Sequence, residues 1–515
     1  MLLLRNIKLP YNHSQEDLRI KIEESLNKKI DSYEIYKKSI DARHGVYYIY
    51  QVLVDTKVDN KIKKRLRNNL ADYHEENLSI TNKNKVESAV IIGAGPSGLL
   101  AAYTLAQAGV RVDIIEQGQK MEARVKSVDE FIKGSSLNLQ SNIQFGEGGA
   151  GTFSDGKLTS RSKDKRIREI YRILVENGAN EDILYDHLPH IGTDILRKVI
   201  VNIRKKIISL GGTFHFDEKF IDLNIKSGKL ISLITDKDEY KADEYILALG
   251  NSSRDTFIML DKYLSISSKP FAVGFRIEHL QDDINYSQYK IRDDKLPQAS
   301  YQLNYSNKEL GRSVYTFCMC PGGYVVNGSS EKDRLCVNGM SYHDRSNVNS
   351  NSAIVAAIDS KIYGSGNLDG IYFQREIERK AYNLAGANNK APVQRLEDYI
   401  LDRPTKNLGK IKPSVQTGFT LENLNGLYPE PINLAIKEAL KIFDKRLKGF
   451  ADPDALLTGV ETRTSSPIRI ERKNYSSRFK NLRPIGEGAG YAGGIISSSL
   501  DGLKCALEIL EGSNQ

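Results

Sequence analysis

The chain has 515 residues, of which 40% are hydrophobic and 27% charged, and its formal net charge is +9. This composition is typical of soluble globular proteins, and the length predicts two to four domains with a large core. Four cysteines without C-x-x-C spacing exclude a disulfide framework and give no zinc motif, so we expect no metal and a reducing, cytoplasmic location. The basic surplus is spread along the chain, which favours a solvated surface over a nucleic-acid face.

Residues 1–84 are predicted to form a separate small domain. The pattern reads strand, helix from Ser14, two strands, and a second helix over residues 60–73. A polar stretch, EENLSITNKNKVE, then marks a domain boundary.

The next segment, AVIIGAGPSGLLAAYTLAQAGV, has no charged residue and is long enough to suggest a membrane span by hydropathy alone. Its glycines instead favour the turn of a dinucleotide-binding strand–turn–helix–strand unit. In such a unit the first glycine permits a tight turn, the second admits a pyrophosphate, and the third lets helix and strand pack closely. The second strand ends in an acid placed to accept hydrogen bonds from ribose hydroxyls. The predicted cofactor contacts of this unit are Gly93, Gly95, Pro96, Ser97, Gly98 and Glu116.

The segment GEGGAGTFSDGK follows this unit and is close to a phosphate-binding loop, read from Gly151. Leu158 stands where such a loop needs a Ser or Thr hydroxyl, and no continuous apolar strand precedes the glycines. The segment is therefore predicted to run beside the bound cofactor, with a plain mobile loop as the alternative. Its predicted cofactor contacts are Gly148, Gly149, Gly151 and Thr152.

Two later segments resemble the remaining motifs of flavoproteins of the glutathione-reductase/hydroxylase superfamily. One is EYILALG, ending at Gly250; the other is GEGAGYAGGI, which leads into an apolar helix. In that superfamily the last motif places an acid, usually Asp, on the ribityl chain and aims a helix N-terminus at the flavin. This implies FAD, with Glu487 in the place of the Asp. The resemblance implies cofactor contacts at Gly250, Gly486, Glu487, Gly494 and Ile495.

With EQGQKMEARV, FCMCPGG and ETRTSSPIRI, nearly the whole chain is similar to uncharacterised bacterial FAD-dependent dehydrogenases that carry an N-terminal ferredoxin-like module. The first of these segments adds Gln117 and Arg124 to the implied cofactor contacts. Lys290 is a departure, since the family pattern has glycine there.

The resemblance implies an α/β fold in four parts. Residues 85–268 and 456–515 are expected to form a Rossmann-type FAD-binding domain with three layers, in the arrangement ββα. An α+β substrate domain, residues 269–455, is inserted between them. Residues 1–84 are the ferredoxin-like α+β domain.

Four residues are predicted catalytic candidates, each with a structural alternative. Arg463, oriented by Glu461, can hold an anionic substrate or belong to a structural salt bridge. Cys318 and Cys320 can form a redox pair or be two small buried residues. His343, like His190, can transfer protons or serve only in packing.

The predicted function is a cytoplasmic FAD-dependent oxidoreductase that acts on an unidentified small molecule. The chain shows no second dinucleotide motif, so electrons come from transiently bound NAD(P)H, from the substrate, or from a protein donor docked on residues 1–84. The alternative is a nucleic-acid-associated flavoprotein, such as an RNA-modifying enzyme or a binding module. The N-terminal domain lacks the aromatic pattern of an RNA-recognition sheet, which disfavours it. No membrane partner is expected.

Overall fold

The structure is a computed structural model that describes residues 1–75, 78–307 and 311–512. The strands in the first half of the chain are β1 Leu2–Pro10, β2 Tyr33–Asp41, β3 Tyr47–Val54, β4 Leu70–Asp72, β5 Ser88–Ile92, β6 Arg111–Glu116, β7 Thr213–Phe216, β8 Phe220–Lys226, β9 Lys229–Thr235, β10 Glu239–Tyr240 and β11 Glu244–Leu247. The later strands are β12 Ile266–Ser268, β13 Phe271–Leu280, β14 Asn304–Asn307, β15 Arg312–Cys320, β16 Tyr324–Asn327, β17 Val337–Met340, β18 Asn349–Ile358, β19 Ala391–Arg395, β20 Phe419–Leu421, β21 Leu456–Glu461, β22 Ile468–Ile470 and β23 Leu482–Pro484. The helices are α1 Gln15–Leu26, α2 Asn60–Leu66, α3 Pro96–Gln107, α4 Met121–Ile132, α5 Ile167–Glu176, α6 Thr193–Ser209, α7 Arg254–Leu260, α8 Gln281–Tyr289, α9 Ser360–Tyr363, α10 Asp369–Leu384, α11 Leu396–Ile400, α12 Glu430–Arg446 and α13 Ile495–Glu511.

The N-terminal module, residues 1–75, is a four-stranded antiparallel sheet in the order β2-β3-β1-β4 with α1 packed on it. Helix α1 begins where predicted, because the Ser14 hydroxyl accepts from the Asp17 N–H while the Asp17 carboxylate accepts from the Ser14 N–H. The helix predicted over residues 60–73 is wrong beyond Leu66. Residues 70–72 pair with β1 instead, so their backbone polar groups are used by the sheet.

A five-stranded parallel sheet, in the order β23-β11-β5-β6-β7, forms the centre of the second domain. Ala89 and Ile91 of β5 face a core shared with α3, α6 and α13, whereas Val90 and Ile92 face the β8–β10 sheet and α7. The strand is buried on both faces, as expected for a parallel sheet covered by two layers. The three-layer Rossmann-type prediction is confirmed. The hydrophobic run that begins at Ala89 is β5, a turn and α3, and none of the helices in residues 1–75, 78–307 and 311–512 is long and apolar enough to cross a membrane.

The inserted domain is built on a mixed seven-stranded sheet in the order β14-β15-β18-β13-β21-β19-β20. Two predictions fail here. The apolar segment SAIVAAIDSKIY, residues 352–363, is predicted from its sequence to be a helix. Residues 352–358 instead lie in β18, which pairs with β13 along its whole length. The boundary at 455/456 is also wrong, because β21 pairs with β13 and β19 and so belongs to the inserted domain. The short β12–β22 ladder marks where the chain leaves and re-enters the FAD-binding domain.

Candidate active site

A cavity of about 2540 Å³ runs from the N-terminus of α3 to the face of the seven-stranded sheet. Pockets for single small molecules have volumes of about 300–1000 Å³. The cavity is therefore large enough for a dinucleotide and a second molecule together.

The turn after β5 brings backbone to the cavity wall without side chains in the way. Gly93 has φ +103°, and a Cβ on it would lie 2.5 Å from the Ala248 carbonyl oxygen. A Cβ on Gly98 would lie 2.0 Å from the Gly93 oxygen. The start of α3 can therefore pack this closely on the turn after β5 only because residue 98 has no side chain. Gly95 is the N-cap of α3, with Pro96 in the first turn. The unpaired N–H groups of the helix start thus face a site suited to an anion.

Glu116 is the buried acid at the end of β6. Its carboxylate accepts from the backbone N–H groups of Ala94 at 2.9 Å, Gly118 at 3.0 Å and Gly146 at 2.9 Å. An ionised carboxylate has about four lone-pair sites, so one remains for a ligand hydroxyl. Glu116 therefore joins three glycine-containing turns and still lines the cavity.

The glycine-rich segment, residues 146–157, lies against the N-termini of helices α3 and α13. A Cβ on Gly149 would lie 3.2 Å from the Cα of Gly95, and one on Gly151 would lie 3.0 Å from Ile495 Cγ1. Both glycines line the cavity. The prediction that this segment runs along the cofactor site is consistent with this placement.

Arg124 lies behind this segment and is fully buried. Its guanidinium donates to the carbonyl oxygens of Asn142 and Ile143, at 2.9 and 3.0 Å, and to the Thr152 hydroxyl at 2.9 Å. Its donors are used inside the protein, so Arg124 shapes the loop and does not reach the cavity. Since Arg124 does not line the cavity, this placement gives the predicted direct contact between Arg124 and the cofactor no support.

Asn251, after β11, and Glu487, before α13, face each other across the cavity end. Asn251 Nδ2 donates to Glu487 Oε1 at 3.2 Å and to the Arg463 carbonyl at 3.0 Å, while its buried Oδ1 has no partner among the described residues. Burial raises the pKa of Glu487, which the hydrogen bond from Asn251 and the charge of Lys269 oppose. The two side chains offer unused polar atoms to a ligand.

Most predicted cofactor contacts line this cavity, and the others support its wall. Those that line it are Gly93, Gly95, Pro96, Ser97, Glu116, Gln117, Gly149, Gly151, Gly250, Glu487, Gly494 and Ile495. Those that lie behind it are Gly98, Arg124, Gly148, Thr152 and Gly486.

Arg463 lines the cavity, but its guanidinium is held from behind by Glu378. Nε and Nη2 donate to the two Glu378 oxygens at 3.0 and 2.8 Å, and Nη1 donates to the hydroxyls of Ser252 and Ser330. Burial opposes ionisation of Glu378, yet Arg254 and Arg463 hold its pKa below the usual range. The expected pairing with Glu461 is wrong, and four of the five N–H donors are used by the protein.

Cys318 and Cys320 end β15 at a bulge, where three residues of β15 span two of β18. Cys318 adopts φ +46° and lines the cavity, whereas Cys320 is buried behind it with its thiol on the Cys318 carbonyl at 3.3 Å. Arg276 fixes the bulge by donating to that carbonyl at 2.7 Å. The two cysteines are free thiols, so a disulfide between them is not present.

Of the two thiols, Cys318 is the one more easily converted to the reactive thiolate. Interaction with the adjacent Cys320 thiol lowers the pKa of the Cys318 thiol to about 6, although burial opposes this shift, and the charges of Lys157 and Arg276 lower it further. The pKa of Cys320 rises because its thiol is the donor and is buried. Thiolate character therefore sits on the sulfur that faces the cavity.

Glu461 lines the cavity beside this bulge and bonds Arg276 at 3.3 Å. Burial raises the pKa of Glu461 to about 7, and Arg276 only partly offsets this. A thiol and a carboxyl that both titrate near neutral pH thus face one cavity.

His343 lies outside the cavity lining. Its Nδ1 contacts the Ile191 carbonyl at 3.0 Å and its Nε2 contacts Asn180 Nδ2 at 3.1 Å. His190, stacked on it, lines the cavity, but burial lowers the pKa of His190 to about 4. This placement favours the structural alternative for His343 and gives its predicted catalytic role no support.

Sequence reasoning missed Glu378, Asn251 and the full role of Arg276. Glu378 lies on α10, an amphipathic helix without a motif, far in sequence from Arg463. A buried acid on the apolar face of a helix is the signal that could have revealed it. Asn251 directly follows Gly250 at the end of the EYILALG segment, and this position beside a predicted cofactor contact is the signal that could have revealed it.

Comparisons with known proteins agree with this geometry. Residues 270–464 match the family "FAD-dependent protein, C-terminal domain-like", residues 91–148 match "NAD(P)-binding Rossmann-like domain", and residues 1–55 match a domain of unknown function. An uncharacterised protein of Clostridium beijerinckii is 41% identical over 99% of this chain and 98% of its own. The chain belongs to this family of FAD-dependent oxidoreductases.

More distant matches cover less or agree less closely. The L-amino-acid oxidase BmooLAAO-I of Bothrops moojeni is 27% identical over 47% of this chain and 49% of that protein. The solved structure of a glycine oxidase from Bacillus cereus aligns over 84% of this chain and 98% of its own, with 12% identity and a TM-score of 0.36.

The residues of the oxidoreductase fit FAD. Gly93, Gly95 and Gly149 form a cradle that Cβ atoms would fill, and the Asn251 oxygen is buried without a partner. Gly93, Gly95 and the α3 N-terminus would hold the pyrophosphate, Glu116 a ribose, and Glu487 with Asn251 the ribityl end. When bound, FAD supplies the capacity to accept or return a hydride.

Proposed function

We propose that this oxidoreductase transfers a hydride between FAD and a small molecule held in an inner chamber, defined as the cavity wall around Phe317, Cys318, Met319, Glu461 and Arg463. The observation that carries the proposal is the continuity of the cavity. It runs unbroken from the glycine cradle to the seven-stranded sheet, so one space contains the cofactor contacts and the titratable side chains.

Cys318 and Glu461 are proposed to handle the proton that accompanies the hydride. When an alcohol or amine loses a hydride from carbon, its O–H or N–H proton must pass to a base. The Cys318 thiolate is available as that base near neutral pH, and Glu461 in its acid form can return a proton when the reaction runs the other way. Arg276 is a positioning residue that holds the Cys318 bulge and contacts Glu461.

Electrons are proposed to come from NAD(P)H that binds transiently. Anaerobic titration of the yellow protein with NADH and then NADPH, followed by visible absorption, tests this. Rapid bleaching supports a pyridine-nucleotide-driven reductase. Bleaching by dithionite alone contradicts the NAD(P)H proposal and leaves a substrate dehydrogenase or a protein-fed enzyme. A purified protein that retains no flavin when refolded with excess FAD would contradict the whole proposal.

Residues 1–75 are proposed to be a ferredoxin-like module. The support is the order strand, helix, strand, strand, helix, strand together with the sheet order β4-β1-β3-β2. That a protein electron donor docks on this module stays a prediction. Its test is deletion of the module, which should abolish turnover with the donor while flavin stays bound.

A further inference from the structure

The N-terminal module forms part of the cavity wall. Its strand β2 pairs with a segment of the FAD-binding domain: the Lys38 N–H donates to the Tyr185 carbonyl at 2.7 Å, and the His187 N–H donates to the Lys38 carbonyl at 2.8 Å. Six polar or aromatic residues of the module then line the cavity: Tyr36, Lys37, Lys38, Ser39, Arg43 and Tyr48.

Further contacts fix the module to both other domains. The Tyr11 hydroxyl donates to Asp293 at 2.7 Å, and Val46 is buried in the core of the substrate domain. On the FAD-binding side, Arg168 donates to Glu34 at 3.2 Å and stacks on the Tyr36 ring at 4.8 Å. The module therefore presents a fixed wall to the cavity.

The cavity carries a surplus of positive charge. Eleven Lys and Arg residues line it, against seven Asp and Glu residues. Two of the acids are ion-paired, Asp155 with Arg345 at 2.8 Å and Asp164 with Arg166 at 2.7 Å, and the Glu116 carboxylate is held by three backbone N–H groups. Three of the cations are paired as well: Arg43 with Asp41, Arg168 with Glu34 and Arg463 with Glu378. The lining itself keeps more cations than acids.

The side chains of three of these cations make no hydrogen bond or ion pair with any residue in the described ranges 1–75, 78–307 and 311–512. They are Lys37 on β2 and Arg161 and Lys163 on the loop after the glycine-rich segment. With the rings of Tyr36 and Tyr48 on the module side and Tyr315 on β15, they form what we call the outer vestibule. Arg161 lies close enough to Tyr315 to oppose the rise that burial causes in the pKa of that phenol.

Unpaired cations beside aromatic rings select an anion that carries a planar group. The cations attract the charge, and the ring faces accept the flat part by stacking. A neutral apolar ligand gains nothing from the cations and must leave them uncompensated.

We propose that the outer vestibule binds an organic anion that carries a phosphate or carboxylate and a planar ring, and that the N-terminal module supplies one wall of this binding site. The inference rests on the proposed function, since it concerns the molecule that exchanges electrons with FAD. Two sources share this chemistry: a pyridine nucleotide that delivers electrons, and the anionic substrate itself.

Calorimetric titration of the FAD-loaded oxidoreductase at low ionic strength tests the inference. NADP⁺ is one probe, because it binds without reducing the flavin, and inorganic pyrophosphate is the other. Bound FAD fills the glycine cradle, so neither probe can report on that site. We expect saturable binding that weakens as salt is raised, as screening requires.

A double charge reversal, Arg161→Glu with Lys163→Glu, should weaken probe binding by about tenfold or more. The matched control is Lys61→Glu with Lys64→Glu, which reverses two exposed charges on α2 that do not line the cavity. Lys37→Glu, against Lys64→Glu as control, tests the wall supplied by the module and should weaken binding about threefold. Arg161→Gln with Lys163→Gln gives a milder version if the reversal disturbs folding.

The outcomes separate the proposals. Binding of NADP⁺ but not pyrophosphate supports the nucleotide as ligand, and binding of both supports a general anion site open to the substrate. No binding of either probe at millimolar concentration, or equal losses in variants and controls, overturns the inference. The visible flavin spectrum is read in the same samples, so the proposed function stands if FAD is retained while probe binding fails.

Discussion

The two ends of the cavity differ in the protein groups that form their walls. At the cofactor end, Gly93, Gly95 and Gly149 bring the backbone itself to the ligand, and the polar groups offered are largely N–H groups. At the sheet end, the wall consists of side chains whose charges are set by buried partners, as Arg463 is by Glu378 and Glu461 by Arg276. The first end depends on the absence of side chains, and the second on their pairing.

This difference determines how each end fails. A backbone cradle is lost when any atom is added at a glycine contact, because the neighbouring backbone cannot move away. A buried charge network is lost when one partner is neutralised, because the other is left unpaired in a medium of low dielectric constant.

The largest effect is expected at the sheet end for Glu378→Gln. It leaves Arg463 buried without its carboxylate and Arg254 with only Glu331, at 3.2 Å, which should lower the free energy of unfolding by about 3–5 kcal/mol. The folded-state pKa of Glu378 lies below its unfolded value, so its contribution is complete above about pH 4.5 and is lost as the pH falls further. Denaturant unfolding at pH 7 and at pH 4 measures both effects.

Glu376→Gln is the control for this variant, because Glu376 lies two residues earlier on α10 in an exposed pair with Lys380. It should change stability by less than about 0.5 kcal/mol. Similar losses for the two variants would show that the buried network contributes nothing special.

At the cofactor end, Gly98→Ala places a Cβ 2.0 Å from the Gly93 carbonyl oxygen. We expect a loss of about 1–3 kcal/mol in unfolding free energy and a lower ratio of flavin to protein absorbance. Gly426→Ala is the control, since its Cβ would meet no atom within 4 Å. Full flavin content in the Gly98 variant would contradict the account of the cradle.

The next effect concerns Cys318, whose alkylation by iodoacetamide reports its thiolate. At pH 7 Cys318 should react about tenfold faster than Cys336, because burial raises the pKa of Cys336 to about 12 while Cys320 and nearby cations lower that of Cys318. Its rate should rise with pH around a midpoint near 6. Mass spectrometry of single peptides measures each rate, and uniformly slow labelling of the two thiols would refute the assignment.

The smallest effect is expected for Glu461→Gln on that same alkylation curve. Removing a neighbouring carboxylate makes the thiolate easier to form, so the midpoint should shift downward. The shift should be less than about one unit, because Glu461, with a pKa of about 7, is mostly neutral at the midpoint of Cys318. An upward shift would contradict the placement of the two groups, and Glu376→Gln should leave the curve unchanged.

The contrast between the ends also explains what sequence reasoning could reach. The turn from Gly93 to Gly98 and the acid at Glu116 are close in sequence, and each is required by local geometry, so their roles follow from spacing. The partner of Arg463 could not be predicted in this way. Glu378 lies on α10, far from Arg463 in sequence, and the contact between them depends on how two domains pack. Glu461 lies two residues from Arg463, and proximity in sequence suggested the wrong pair.

The errors in the fold have a related cause. Residues 352–358 are small and apolar, a pattern that fits a buried helix as well as a buried strand. The segment forms a strand because it pairs with β13, which is distant in sequence. The boundary at 455/456 followed a change of pattern along the chain, whereas β21 is held by strands distant in sequence.

The FAD-binding domain is formed by two segments that are far apart in sequence, so they leave the ribosome at different times. The fingerprint turn is synthesised early, but β23 and α13 emerge only after the whole seven-stranded sheet. Gly502 of α13 packs so closely on α3 that a Cβ would lie 2.0 Å from the Ser97 oxygen, so α13 completes one side of the cradle. A nascent chain shorter than about 500 residues therefore has no finished cradle, and capture of the flavin must follow the synthesis of α13.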